Sequence, residues 1–314
     1  EDIVHGKIEV STSEIKDQVL IKSDGTPTYN FACVVDDYEM KITHIIRGDD
    51  HISNTPKQVL IYEALNLPLP IFAHIPLILS KEGGRLSKRH GATSIFEYKN
   101  MGFAPEALVN FLALMGWAPG EDREIITIDE MVRLFDVKGV NKTGAIFDFD
   151  KLAWINGQYI MKMGLDELAA KSSSYLKEKG IIKQDLDQGR WKRAAALYRE
   201  RAKTFDSFVD VYKIFFTDDI EYDEKAVEEH LRKDGSKEII TNCISALDAL
   251  ASFDKTTIER SYRELAQKMK VKAAALIHPT RVAISGRTSG AGLFEMMEVL
   301  GNGNVIERMR KATH

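Results

Sequence analysis

Thr43-His44-Ile45-Ile46-Arg47-Gly48-Asp49-Asp50-His51-Ile52-Ser53-Asn54-Thr55-Pro56 decides how the first half of this 314-residue chain is read. Its opening, residues 43–47, is short, apolar and β-branched, the pattern of a buried strand. Asn54-Thr55-Pro56 marks a helix start, because Pro in the first turn gives up only an N–H that the helix leaves unbonded anyway. Val59, Leu60, Ala64 and Leu65 then supply an apolar face at helical spacing, and residues 72–79 form the next strand. Strand, helix, strand in that order predicts a parallel βαβ unit. Upstream, residues 3–10 and 18–22 read as further strands, the second ending at the turn signal Ser23-Asp24-Gly25.

From Pro105 the period becomes helical. Ala107, Leu108, Phe111, Leu112 and Met115 share a face that Gly116 ends, and residues 128–135 and 149–155 are further helices. Beyond residue 165 almost no strand pattern remains: helices are predicted at 165–179, 190–203, 205–216, 223–233, 236–252, 256–270 and 292–311. The fold class is therefore α/β followed by all-α.

Hydrophobic residues make up 44% and charged residues 29%, which excludes a disordered chain. With 43 Lys+Arg against 47 Asp+Glu, the net charge of −4 excludes a polybasic protein but leaves room for a local basic face. Cys33 and Cys243 are too few for a disulfide framework or a four-cysteine zinc site, the pattern of an intracellular chain. No apolar run approaches the roughly 20 residues of a membrane helix. The first residue is Glu1 rather than Met, as in a processed chain or a fragment.

Four stretches carry candidate chemistry. Gly83-Gly84-Arg85-Leu86-Ser87-Lys88-Arg89-His90-Gly91 brackets a serine and mobile cations with glycines, which suits a polyphosphate and equally a solvated loop; it lacks the Walker spacing. Arg47 follows a strand, where open α/β sheets collect ligands. It can grip a carboxylate through two parallel hydrogen bonds or pair internally with Asp49 or Asp50. His51 with these acids is a weak metal set, since a lone His beside acids is as a rule capping or solvated. Tyr29 and Asn30, between a turn and an apolar run, fit a site or a plain helix start, and Asp36-Asp37 fits a helix-end turn. Residues 190–203 hold six cations and one acid with Trp191 and Tyr198 between them. That suits single-stranded RNA, whose bases stack on rings and guanidiniums, or else a solvated face over two core aromatics.

Together these segments resemble one family. Thr26-Pro27-Thr28-Tyr29-Asn30-Phe31, Val34-Val35-Asp36-Asp37, Ile46-Arg47-Gly48-Asp49-Asp50-His51 and Asn54-Thr55-Pro56-Lys57-Gln58 are similar to the second half of the catalytic domain of bacterial glutamyl-tRNA synthetases. Arg85-Leu86-Ser87-Lys88-Arg89 resembles that family's form of the class I Lys-Met-Ser-Lys-Ser loop, with only Ser87 and Lys88 matching strictly. Phe111-Leu112-Ala113-Leu114-Met115-Gly116-Trp117, Phe147-Asp148 and Lys151-Leu152-Ala153-Trp154-Ile155-Asn156-Gly157 resemble its next domain. Leu276-Ile277-His278-Pro279-Thr280-Arg281-Val282-Ala283 and Ser285-Gly286-Arg287 resemble its C-terminal helical domain.

The resemblance implies a fold of three parts: the second half of a class I Rossmann-type catalytic domain, a mixed α/β stem-contact domain and a helical anticodon-binding region. Its expected boundaries are 1–70, 71–164, 165–222 and 223–314, residues 1–25 being the end of an acceptor-binding insertion. It implies glutamate–tRNA ligase activity, with ATP, L-glutamate and tRNA(Glu) as partners, Mg2+ arriving with ATP, no structural zinc and no other metal site. A monomer in the cytoplasm is expected. Lys88 and Ser87 would act in catalysis and, with Arg85 and Arg89, bind ATP; Arg47 would take the substrate side-chain carboxylate, with Tyr29, Asn30 and His51 around it. Arg201, Arg199, Arg193 and Lys192 would meet the anticodon, Arg201 at its third base. None of the eight histidines lies in the family's His-Ile-Gly-His-like pattern, so these 314 residues alone are expected not to form adenylate. A non-catalytic tRNA-binding fragment or paralogue, or an enzyme that also charges tRNA(Gln), are the alternatives.

Overall fold

A computed structural model of the chain describes residues 1–84, 86, 94–120, 122–183, 186–218 and 220–313. It divides into two compact units. The first comprises Glu1–Lys99 with Pro105–Ile155, the second Asn100–Ala104 with Asn156–His314.

The βαβ unit is present in the first. Strand β1 (His44–Gly48) runs parallel to β2 (Ile71–Ile75), with helix α2 (Thr55–Ala64) between them and Pro56 in its first turn. Helix α1 (Tyr29–Glu39) precedes β1, and Asp36 and Asp37 fall in its last turn. The expected single strand over 72–79 is interrupted at Pro76, which has no N–H for the ladder. A separate short strand β3 (Ile78–Leu79) follows and pairs with β4 (Ala145–Ile146). The segments 3–10 and 18–22 are not strands. Only bridges form there: Asp2 to Gly6 and to Phe72, and Ile21 to Pro27. Asp2 turns the chain back by accepting the Val4 and His5 N–H groups at 2.9 Å each, which stops a ladder from forming.

Two burial expectations also change. β1 is not a buried strand, because a two-stranded sheet leaves Ile46 53% exposed. On α2 the buried side is Gln58, Ile61 and Tyr62 rather than Val59, Leu60, Ala64 and Leu65, because Val34 of α1 packs there. The face of α4 (Pro105–Leu114) is as expected at Ala107, Leu108 and Phe111, but Leu112 is exposed. Around it lie α3 (Ile95–Asn100), α5 (Ile128–Leu134) with a Thr127–Glu130 capping box, and α6 (Phe149–Lys162), which runs past the expected end at 155.

The second unit is helical throughout its described residues: α7 (Leu165–Glu178), α8 (Gln188–Tyr198), α9 (Phe208–Phe216), α10 (Glu224–His230), α11 (Ser236–Asp248), α12 (Lys255–Met269), α13 (Ala274–Ser285), α14 (Leu293–Leu300) and α15 (Asn302–Lys311). The predicted helix over 292–311 is two helices, since Gly301 takes a left-handed φ of 83° and ends the first. α8 stops at Tyr198, short of 203. Trp191 is fully buried against Phe208, Tyr212 and Phe216, its indole N–H donating to the Ala169 carbonyl at 3.1 Å. No helix among the described residues is long and apolar enough to cross a membrane.

Asp254 caps α12, accepting from Ser252 Oγ at 2.8 Å, Thr257 N at 3.0 Å and Thr257 Oγ1 at 2.8 Å; these bonds hold its carboxyl at about 2 against an ordinary 3.8. A lowered carboxyl stabilises the fold above its unfolded value and loses that contribution as pH falls through the folded one. Asp254→Asn keeps a capping side chain that does not titrate. Urea unfolding between about pH 6 and pH 2.5 is expected to show the wild type losing its advantage over Asp254→Asn as pH drops. A constant gap between the two would refute the assignment.

Candidate active site and nucleic-acid interface

Arg47 sits near the carboxyl end of β1, one residue before the chain leaves the sheet, and its parallel partner in register is His74 of β2. A guanidinium has five N–H donors: one on Nε and two on each Nη. Here Nε donates to His74 Nε2 at 3.1 Å, and Nη2 donates to Thr55 Oγ1 and Gln58 Oε1 at 2.8 Å each. All three acceptors are neutral, and no carboxylate pairs with Arg47 among the described residues. The alternative of an internal pair with Asp49 or Asp50 is not formed: neither carboxylate pairs with Arg47 among the described residues, and Asp49 lies 2.9 Å from His5 Nε2. The Tyr29 hydroxyl also reaches the guanidinium, and Nη1 has no carboxylate partner among the described residues. A half-buried guanidinium held by neutral acceptors, with Asp37 near enough to feel its charge but not paired with it, can take an anion.

The other expected residues of this site are nearby. Gln58 Nε2 donates to Asn30 Oδ1 at 3.2 Å, and Asn30 Nδ2 donates to Gln18 Oε1 at 3.2 Å, a chain of amides that turns the Gln58 carbonyl toward Arg47. The Tyr29 hydroxyl lies 3.1 Å from His51 Nδ1. Burial and the Cys33 thiol raise the Tyr29 hydroxyl pKa, while the neighbouring Arg47 pulls it down. Asp37 is raised too, chiefly by burial, against the pull of Arg47. Arg47, Asn30, Tyr29 and His51 thus form one cluster. Thr55, Gln58, His74 and Asp2 belong to it and were not foreseen as its members. The strand register that sets His74 beside Arg47 was the missing signal. Among the described residues no group of three or more His, Cys, Asp or Glu side chains is placed to hold a metal ion.

Arg85, Ser87, Lys88 and Arg89 lie outside the described residues. The chain leading to them is defined. Ser80 closes a turn on Gly83 and Gly84, whose φ values of 86° and 82° favour glycine, and Lys81 pairs with Asp148 at 3.1 Å. Leu86 N donates to the Ile78 carbonyl at 3.0 Å.

In the second unit the basic stretch is partly committed to the fold. Arg190 donates to the Val299 and Leu300 carbonyls, capping α14, and lies over the Phe216 ring. Lys192 pairs with Asp166, and Arg199 donates to the Met161 carbonyl. Trp191 is core, and the Tyr198 hydroxyl donates to Met296 Sδ at 3.6 Å, so neither ring is a free stacking platform. Arg193 and Arg201 are exposed, with no hydrogen bond or ion pair among the described residues. Arg281 lies near Arg201; burial lowers its pKa first, and the like charge of Arg201 lowers it further.

Residues 1–154 match the family described as class I tRNA synthetases (E and Q), catalytic domain, and residues 167–313 match the anticodon binding domain. Glutamate–tRNA ligase 1 of Caldanaerobacter subterraneus subsp. tengcongensis is 45% identical over 311 residues, covering 99% of this chain and 65% of that protein. Glutamate–tRNA ligase 2 of Caldicellulosiruptor saccharolyticus is 47% identical over 310 residues, covering 99% and 64%. The crystal structure of a glutamate tRNA ligase from Elizabethkingia meningosepticum in complex with its amino acid superposes with a TM-score of 0.87 at 33% identity, covering 99% of this chain and 65% of that one. The chain thus spans less than two thirds of the length of these relatives. It carries a class I tRNA synthetase (E and Q) catalytic-domain match followed by an anticodon-binding-domain match, and it is similar along 99% of its length to glutamate–tRNA ligases.

Proposed function

We propose that the protein bearing this sequence is a glutamate–tRNA ligase. L-Glutamate attacks the α-phosphate of ATP through its α-carboxylate, giving glutamyl-adenylate and releasing pyrophosphate. The glutamyl group then passes to a hydroxyl of the terminal adenosine of tRNA(Glu), releasing AMP. The observation that carries this reading is Arg47: its three acceptors are neutral, and no carboxylate among the described residues pairs with Nη1, which would take the substrate side-chain carboxylate. The Tyr29 hydroxyl would bond beside it, with Asn30 and His51 completing the wall. Lys88 would stabilise charge developing on the β- and γ-phosphates, with Ser87, Arg85 and Arg89 holding ATP and the loop. Mg2+ would arrive with ATP, carried by the nucleotide phosphates. We read residues 1–70 as catalytic, 71–164 as stem-contacting, and 165–222 and 223–314 as two anticodon-binding parts. A monomer working in the cytoplasm fits this role.

Arg47→Gln removes a charge-assisted bond and leaves a carboxylate unpaired, at a cost of about 1.5–3 kcal/mol. On the complete gene product, the glutamate KM in tRNA-dependent ATP–pyrophosphate exchange is expected to rise on the order of 10- to 100-fold, with the ATP KM little changed. An unchanged glutamate saturation curve would return Arg47 to a purely structural role.

Lys88→Ala is expected to slow single-turnover adenylate formation by about 2–4 kcal/mol of barrier while glutamate binding holds. An unaltered rate rejects the phosphate role.

For the anticodon, Arg201 is the base reader, since a planar guanidinium can bond two acceptors on one base edge. Arg193 and Lys203 are exposed for phosphates, whereas Lys192 would first have to give up Asp166 and Arg199 the Met161 carbonyl. Arg201→Gln is expected to lower the ratio of tRNA(Glu) to tRNA(Gln) charging at fixed salt, and Lys203→Ala to flatten the salt dependence for both alike. Equal losses for the two tRNAs in Arg201→Gln would make it only another phosphate contact.

A further inference from the structure

His74 and Asp2 stand behind Arg47, and the proposed reaction assigns them nothing. Both are buried: the His74 side chain is 1% exposed and that of Asp2 3%. Asp2 Oδ2 lies 2.6 Å from His74 Nδ1. The same carboxylate accepts the backbone N–H groups of Val4 and His5 at 2.9 Å each and of His74 at 3.1 Å. Against the opposing effect of burial, these bonds keep the Asp2 carboxyl below its ordinary value, so it is an anion at neutral pH.

The hydrogen-bond count then fixes the histidine. Thr55 Oγ1 also lies 3.1 Å from His74 Nε2, but it gives its own proton to the His51 carbonyl at 3.1 Å, and Arg47 Nε can only donate, so in the Arg47 bond His74 Nε2 presents a lone pair. The ring proton therefore sits on Nδ1 and is given to Asp2. A carboxylate holding one ring nitrogen selects the tautomer and orients the other nitrogen, the same device that orients a metal-binding histidine. Here the oriented group is a guanidinium. The imidazole also stacks on Phe72, whose ring lies 5.8 Å from the Arg47 Cζ, so rotation of either group is resisted. With Nε on His74 and both Nη2 hydrogens on Thr55 and Gln58, Nη1 is the nitrogen left for a ligand, with the Tyr29 hydroxyl beside the guanidinium.

We propose that Asp2 and His74 are positioning residues that lock the Nε edge of Arg47, so that the glutamate side-chain carboxylate is bound through Nη1. The inference rests on the reading of Arg47 as the carboxylate-binding residue.

The variants separate geometry from bulk. In His74→Asn the amide can reach Asp2 in place of Nδ1, but nothing replaces Nε2. In His74→Gln the side-chain carbonyl can take the place of Nε2. Asp2→Asn lets its amide donate to Nδ1, which forces the proton onto Nε2 and against the Arg47 N–H. On the complete gene product, His74→Asn and Asp2→Asn are expected to raise the glutamate KM about tenfold, with kcat and the ATP KM within about twofold of wild type, and His74→Gln to restore most of the loss. Thermal unfolding of each variant checks that the fold is kept.

Arg47→Gln is run alongside. If it raises the glutamate KM and His74→Asn does not, the positioning role is overturned while the carboxylate reading stands. If Arg47→Gln itself changes nothing, the carboxylate reading falls, and this inference with it. Long-range 1H–15N correlation spectra of the wild-type histidines answer the question even where a variant does not fold. The expected result is a protonated Nδ1 and an unprotonated Nε2 for His74. A proton on Nε2 would overturn the proposal.

Discussion

A guanidinium at the end of a parallel strand, half withdrawn from water and given no carboxylate, is costly unless something else holds it. In this protein three neutral acceptors do so, from two elements of the first unit. His74 is supplied by the neighbouring strand, Thr55 and Gln58 by the helix between the strands, and the orientation of Gln58 by Asn30 of α1. The βαβ turn, the packing of α1 on α2 and the bend at Asp2 all converge on keeping one cation fixed and one of its nitrogens left for a ligand.

That convergence explains why the site was only partly legible in the sequence. Arg47 was found because a strand end is where an open sheet binds ligands, and Tyr29, Asn30 and His51 because they recur in the family's motifs. Asp2 and His74 were not, because the pairing of β1 with β2 is a fact of register, and register is not written in either strand alone. Of the fold, the helix start at Pro56 could be read from local chemistry. The interruption at Pro76 carries the same kind of local signal, a residue with no N–H for the ladder, set inside one long apolar run. The buried face of α2 depended on where Val34 would land, which no periodicity of α2 contains.

The helical unit teaches a different lesson about basic stretches. Residues 190–203 look like a nucleic-acid face by composition, yet Arg190 caps a helix end, Lys192 is paired and Trp191 fills the core. Amphipathic cations bury their stems and spend their charge on carbonyls as readily as on phosphates. What remains exposed is a smaller set, Arg193 and Arg201, with Arg281 beside the latter. α13 falls outside the helices predicted from the sequence and holds Pro279 in its interior; Thr280 supports that turn by donating to the Leu276 carbonyl at 2.9 Å.

The central claim is that Nη1 of Arg47 is the anion contact. A crystal structure of the complete gene product with L-glutamate tests it most directly. The account predicts a side-chain carboxylate oxygen within hydrogen-bond distance of Arg47 Nη1, with the Nε bond to His74 Nε2 still in place. A glutamate bound with its carboxylate away from Arg47, or an Arg47 that has left His74 to reach it, would contradict the account.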